Sequence, residues 1–130
     1  MNIRKGELYS MVCDEFDSDT FIEYLKLLLS EYHTGRKIIL VLDNASPHKS
    51  KKTKAYIKSQ EAKIELLYLP PYSPDLNPAE LVWKDIRACR THNRYFATVK
   101  ELLKEIMDYL KTYSVSNEKI KQLCVFNYVV

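Results

Sequence analysis

"IILVLDNASPHKSKKTKAYIKSQEAKIELLYL", residues 38–69, decides the fold. It begins with an apolar run at 38–42 (IILVL) that does not alternate, and a second such run closes it at 64–69 (IELLYL). Short apolar runs without alternation are expected of strands covered on both faces in a parallel sheet. The 21 residues between Leu42 and Ile64 are long enough for the helical crossover that parallel strands require, so the unit reads as βαβ. Parallel strands point the same way. The residues after Leu42 and those after Tyr68 therefore leave the sheet at one edge, the carboxyl edge where open α/β sheets bind ligands.

Upstream, the short apolar run at 8–13 (LYSMVC), after Gly6, reads as a strand. "DSDT" then offers N-caps, with Thr20 and Glu23 spaced as a capping box for a helix over about 19–32. Its stripe Phe21, Leu25, Leu28 and Tyr32 follows the helical period. Downstream, four of the five prolines (Pro70, Pro71, Pro74 and Pro78) lie in "YLPPYSPDLNPAELVW", residues 68–83. Fixed proline φ values make this loop stiff, and they set the direction from which the next helix starts. Helices are expected at 78 to about 91, 98 to about 112 and 116–126, within a single domain over 1–130.

Asp43 directly follows the first central strand. It caps the turn "DNASPH", or it is a metal ligand at the carboxyl edge. Glu80 sits third in "PAE" after Asn77, where a capping box explains it; the same helix N-terminus also favours the ionised carboxylate a divalent cation needs. If the proline loop delivers Glu80 to the edge where Asp43 sits, the two could share Mg²⁺ or Mn²⁺, the ions suited to phosphodiester cleavage by in-line attack. From Asn44 to Gln60 the chain carries Lys49, Lys51, Lys52, Lys54 and Lys58 and no acid. That run is either a solvated helix face or, beside a metal site, a phosphate-attracting surface to which His48 adds a contact.

Composition removes other classes. With 46% hydrophobic and 28% charged residues the chain is a folded globular one rather than a disordered one. Cys13, Cys89 and Cys124 are scattered and odd in number, which suits reduced thiols in a cytoplasm and no zinc knuckle. There is no apolar stretch of membrane-spanning length, and the start has no apolar signal-peptide core. Two glycines, Gly6 and Gly35, cannot build a nucleotide-binding loop, so no nucleotide cofactor is expected.

The segments "IILVLDNASPHKSKKTKAYI" and "IELLYLPPYSPDLNPAELVWKDIR", with "GELYSMVCDEFDSDTFIEYLKLLL" upstream, resemble the catalytic domain of insertion-sequence transposases in the mariner-related group. The resemblance covers about residues 6–112 and implies a ribonuclease-H-like mixed sheet flanked by helices. It also implies an Asp-Asp-Glu triad binding two Mg²⁺ or Mn²⁺ ions for DNA strand cleavage and transfer. Position by position, Asp43 matches the second acid and Glu80 the third, with 36 residues between them. The first acid lies in the family on the first strand, for which the residues before Gly6 are too few; Asp14 or Glu15 is the nearest substitute. The expectation is a catalytic core that lacks its first strand, contacts DNA through His48, Lys49, Lys51, Lys52 and Lys54, and self-associates as a homodimer. A non-catalytic remnant that binds DNA or itself, and an unrelated ribonuclease-H-like nuclease, are the alternatives.

Overall fold

The computed structural model describes residues 1–2, 5–32 and 35–123, which mix helices with a two-stranded parallel sheet. The described residues form two compact units, one of residues 11–77 and one of residues 1–10 with the chain from 78 onward.

In the first unit, α1 (Ser18–Glu31) begins at Asp17, whose side chain accepts the Thr20 amide at 2.8 Å while the Thr20 hydroxyl accepts the Asp17 amide at 2.9 Å. The capping box is therefore Asp17 with Thr20, not Thr20 with Glu23. "DSDT" holds overlapping candidates, and the one with extended backbone at Asp17 forms the cap. Strands β1 (Ile38–Leu42) and β2 (Ile64–Tyr68) pair in parallel, Ile38 opposite Ile64 and Leu42 opposite Tyr68. Between them run α2 (Ser46–Lys49) and α3 (Lys51–Ser59), the expected crossover. Phe21 and Leu25 of α1, Ile64 of β2 and Tyr56 and Ile57 of α3 close on Ile38, Leu40 and Leu42, forming a core on one face of the sheet.

Within this unit, no described element covers the other face. Ile39, Val41 and Leu67 are exposed, so the strands alternate in burial although their sequences do not alternate in character. An apolar run satisfies the composition rule for two covered faces; α1 and α3 supply only one cover.

In the second unit α4 (Pro78–Ile86) runs into a wider π-helical turn over Arg87–Thr91, followed by α5 (Val99–Thr112) and α6 (Glu118–Leu123). Their core is Val82, Ile86, Tyr109 and Ile120 with Leu8 from the N-terminal segment. Residues 8–13 form no strand, which corrects the sequence expectation. The Leu8 amide donates to the Tyr113 carbonyl at 3.0 Å, its side chain enters this core, and the local ladder is one bridge between Asn2 and Glu7. A helix C-terminus with unpaired carbonyls meets the need for a backbone partner that a neighbouring strand would otherwise meet. The last three residues of the expected terminal helix, Cys124 among them, lie outside the described residues. No helix among the described residues is long and apolar enough to cross a membrane.

Candidate active site

Asp43 leaves the carboxyl end of β1 with its side chain about half exposed. Its Oδ1 accepts a hydrogen bond from the Ala45 amide at 3.0 Å and makes a 2.9 Å contact with His48 Nδ1, which hydrogen-bonds the Asp43 backbone oxygen at 3.3 Å. The first is an Asx turn, the local closure that an Asp at a strand end favours. The second comes from α2, which Pro47 starts at its second residue and which places His48 one turn along. Among the described residues Oδ2 has no partner.

Around this carboxylate the two strand ends are tied together. The Asn44 side-chain amide donates to the Leu69 carbonyl at 2.7 Å, the Leu69 amide to the Leu42 carbonyl at 2.8 Å, and the Tyr68 hydroxyl to the His48 carbonyl at 2.7 Å. Thr53, fully buried, donates its hydroxyl to the Pro47 carbonyl at 2.7 Å and accepts from the Ser50 hydroxyl at 3.0 Å, which pins α2 to α3. Asn44, Tyr68 and Thr53 escaped the sequence reading. Asn44 adjoins Asp43, but nothing in the sequence says that its amide reaches the far strand.

His48 is nine-tenths buried. Its ring lies 4.5 Å from that of Phe21 and 5.4 Å from that of Phe16, centroid to centroid. Of the five lysines, two are engaged: Lys52 pairs with Asp19 of α1 at 2.9 Å, and the Lys49 ammonium lies 5.2 Å from the centre of the Tyr68 ring. The hydrogen bond from Lys52 to Asp19, followed by the charge of the same carboxylate, raises the Lys52 pKa above its ordinary value. Lys51, Lys54 and Lys58 are exposed and have no ion-pair partner among the described residues.

The proline loop has one backbone oddity. Tyr72 has φ 56°, the left-handed region, and stands wholly exposed on the turn after Pro71. The Ser73 hydroxyl donates to the Pro71 carbonyl at 3.2 Å, and a 3-10 turn at Pro74–Leu76 leads to α4. Glu80 is the third residue of α4, half-buried, in the turn where helix amides favour an anion. Asp14 and Glu15 are exposed before α1. Among the described residues no group of three or more His, Cys, Asp or Glu stands ready to hold a metal ion.

Residues 1–103 match the family described as DDE superfamily endonuclease. The chain is 33% identical over 97 residues to the insertion element IS630 uncharacterized 39 kDa protein of Shigella sonnei, matching 75% of this chain and 28% of that protein. It is 36% identical over 116 residues to the transposable element Tc3 transposase of Caenorhabditis elegans, matching 86% of this chain and 34% of the transposase. An uncharacterized Sinorhizobium fredii protein, y4pE/y4sA, is 32% identical over 100 residues, with 77% of this chain and 70% of that protein matched. The chain thus spans about a third or less of the length of the first two.

Proposed function

Because the chain belongs to the family of DDE superfamily endonucleases, we propose that it is part of the catalytic core of a DNA transposase, with a ribonuclease-H-like fold and a divalent cation, Mg²⁺ or Mn²⁺, at its carboxylates. The observation that carries this reading is Asp43. It stands at the carboxyl end of a parallel strand, solvent-facing, with one oxygen held by the Ala45 amide and in contact with His48 Nδ1 and the other without a partner among the described residues.

The donor chemistry fits such an ion, since hard divalent cations take carboxylate oxygens. Asp43 would supply one ligand, and the family resemblance assigns the same role to Glu80 in the first turn of α4. When bound, such an ion polarises the phosphoryl oxygens and lowers the pKa of water for attack on the phosphodiester. The chain's own residues do the rest. The Ala45 amide and His48 hold the Asp43 carboxylate, the Asn44 and Tyr68 contacts hold the loop that carries it, and the exposed lysines of α3 draw the DNA backbone toward it.

Two carboxylates hold one divalent ion weakly, whereas the two-metal reaction needs a third acidic ligand. The 130-residue protein is therefore expected to bind Mn²⁺ weakly, as read by water-proton relaxation, and to cut linear DNA little or not at all. Asp43→Ala and Glu80→Ala should each abolish the Mn²⁺ binding. Affinity unchanged in both variants would end this reading. Robust cleavage that both variants lose would mean that a third ligand is present, with Asp14 the first place to look.

Sequence-independent DNA binding is also expected, falling steeply with salt because neutralised phosphates release counterions. Each lysine that neutralises a phosphate adds about 0.9 to the slope of log affinity against log salt. Lys51→Ala with Lys54→Ala should lower the slope by about 2, measured by fluorescence anisotropy over a salt series. An unchanged slope would place the DNA contacts elsewhere.

A further inference from the structure

We propose that His48 is a positioning residue that locks the Asp43 carboxylate in one rotamer, so that Oδ1 is taken up by the protein and Oδ2 alone is presented outward. The proposal rests on the reading of Asp43 as a metal-binding carboxylate, but its geometry stands without the ion. His48 Nδ1 lies 2.9 Å from Asp43 Oδ1 and 3.3 Å from the Asp43 backbone oxygen. A carboxylate and a carbonyl can only accept, so Nδ1 carries the proton and the tautomer is assigned by its neighbours.

The ring is as fixed as the carboxylate is free. Phe16 and Phe21 pack on it, the His48 amide donates to the Ala45 carbonyl at 3.1 Å, and the His48 carbonyl accepts from Tyr68. A donor buried this way cannot follow a mobile acceptor; the acceptor must come to it. With the Ala45 amide on the same oxygen, an exposed Asp that would otherwise sample several staggered χ1 wells is left with one. The same burial keeps the ring from lying against a phosphate, so His48 acts on DNA chemistry through Asp43. Removing partners that orient a metal-binding side chain in this way costs about 10–100-fold in metal affinity.

Two variants separate positioning from packing. His48→Phe keeps an aromatic ring between Phe16 and Phe21 and removes the donor. His48→Asn gives up the ring but keeps a nitrogen donor on the same atom, Cγ. The Asp43 χ1 angle is read from three-bond couplings of its side-chain carbon to the backbone nitrogen and carbonyl in ¹⁵N,¹³C-labelled protein, without metal. The wild type and His48→Asn should show one rotamer, and His48→Phe an average of several. Should His48→Phe not fold, His48→Gln, whose amide sits one bond further out, takes its place with the same expectation. A single Asp43 rotamer in the variant used would overturn the proposal, since a residue that only packs would lower the melting temperature and leave the couplings alone. In a Mn²⁺ titration that variant should bind about 10-fold more weakly and His48→Asn within about 3-fold of wild type. Wild-type protein that binds no Mn²⁺ would sink the metal reading of Asp43, and the couplings would still decide the role of His48.

Discussion

Asp85→Ala is expected to destabilise the unit formed by α4, α5 and α6 by about 3 kcal/mol, read as a lower urea midpoint at unchanged slope. Asp85 is the point at which the three helices meet electrostatically. From α4 its Oδ2 accepts the hydroxyl of the fully buried Tyr109 on α5 and pairs with Lys119 of α6 at 2.6 Å, and the Cys89 thiol donates to Oδ1 at 3.5 Å. The Lys119 ammonium also lies over the rings of Tyr109 and Tyr113, 5.6 and 5.4 Å from their centres. Truncation leaves a buried hydroxyl and a half-buried ammonium without their acceptor, which is why the expected cost exceeds that of an ordinary hydrogen bond. Asp85→Asn, which keeps an acceptor for Tyr109, should cost roughly half as much. A loss under about 1 kcal/mol for the alanine variant would show that the three helices are held by their apolar core alone.

The pH dependence of this cluster has a definite sign. Burial pushes the Asp85 carboxyl up, but the hydrogen bonds from Lys119, Tyr109 and Cys89 together outweigh it and leave the folded pKa below its ordinary value. Stability from that group is therefore complete above about pH 4 and is lost as pH falls through the depressed folded value. Tyr109 is raised well above its ordinary value, first by burial and then by the Asp85 carboxylate; Lys119 is raised first by its hydrogen bond to Asp85. Their contributions are present below about pH 10 and are lost in the alkaline range above it.

Gly6→Ala is expected to cost about 3 kcal/mol, for a reason that has no counterpart at Gly35. Both glycines have left-handed backbone, φ 68° and 65°. Alanine at either therefore carries about 1 kcal/mol of strain. At Gly35 an added Cβ would meet nothing. At Gly6 it would collide with the backbone carbonyl oxygen of Asn117 and touch the Lys121 side chain, and backbone cannot rotate away as a side-chain end can. Relief requires moving α6, whose start is fixed by hydrogen bonds from the Asn117 amide and the Ser116 hydroxyl to the Lys5 carbonyl. Forced displacement of packed elements costs about 1–3 kcal/mol more. Comparing the two alanine variants by urea unfolding isolates the collision from the strain. Equal losses would mean that α6 does not lie against Gly6 in solution.

What the sequence disclosed divides by range. α1, α5 and the two strands were legible because periodicity and apolar runs are local, and so was the place of Asp43 directly after β1. The DDE family, too, could be read from the dense motif at 68–83, which the family match supports. Residues 8–13 misled because an apolar segment of strand composition can equally send one side chain into a helical core, and the amide partner of Leu8, Tyr113, lies roughly a hundred residues away. The open face behind Ile39 and Val41 was hidden for a related reason: a run of apolar residues states what two faces would accept, not how many covers arrive. Asp85 lies close to Val82 and Ile86 in the sequence, but nothing there says that Tyr109 and Lys119 are brought to it. His48 reads as a loop residue until Phe16 and Phe21 enclose it.

The two units differ in how they are threaded along the chain, and this sets the order in which a growing polypeptide can complete them. The unit around β1 and β2 draws on one continuous stretch, 11 to 77, in which the strands pair across a short crossover and Lys52 reaches back only 33 residues to Asp19. The other unit is split: the contact from Ser116 to Lys5 joins residues 111 apart, and that of Leu8 with Tyr113 is nearly as long. Closing so long a loop costs more entropy than closing the crossover, and neither contact can form until its distant partner has been made. During synthesis, at about 5–20 residues per second, the N-terminal segment waits several seconds for α6 while the sheet unit is already whole. Over that interval the side chain of Leu8 has no core to enter, and a chain with an unplaced apolar segment is the form most open to chaperones and to association with its neighbours.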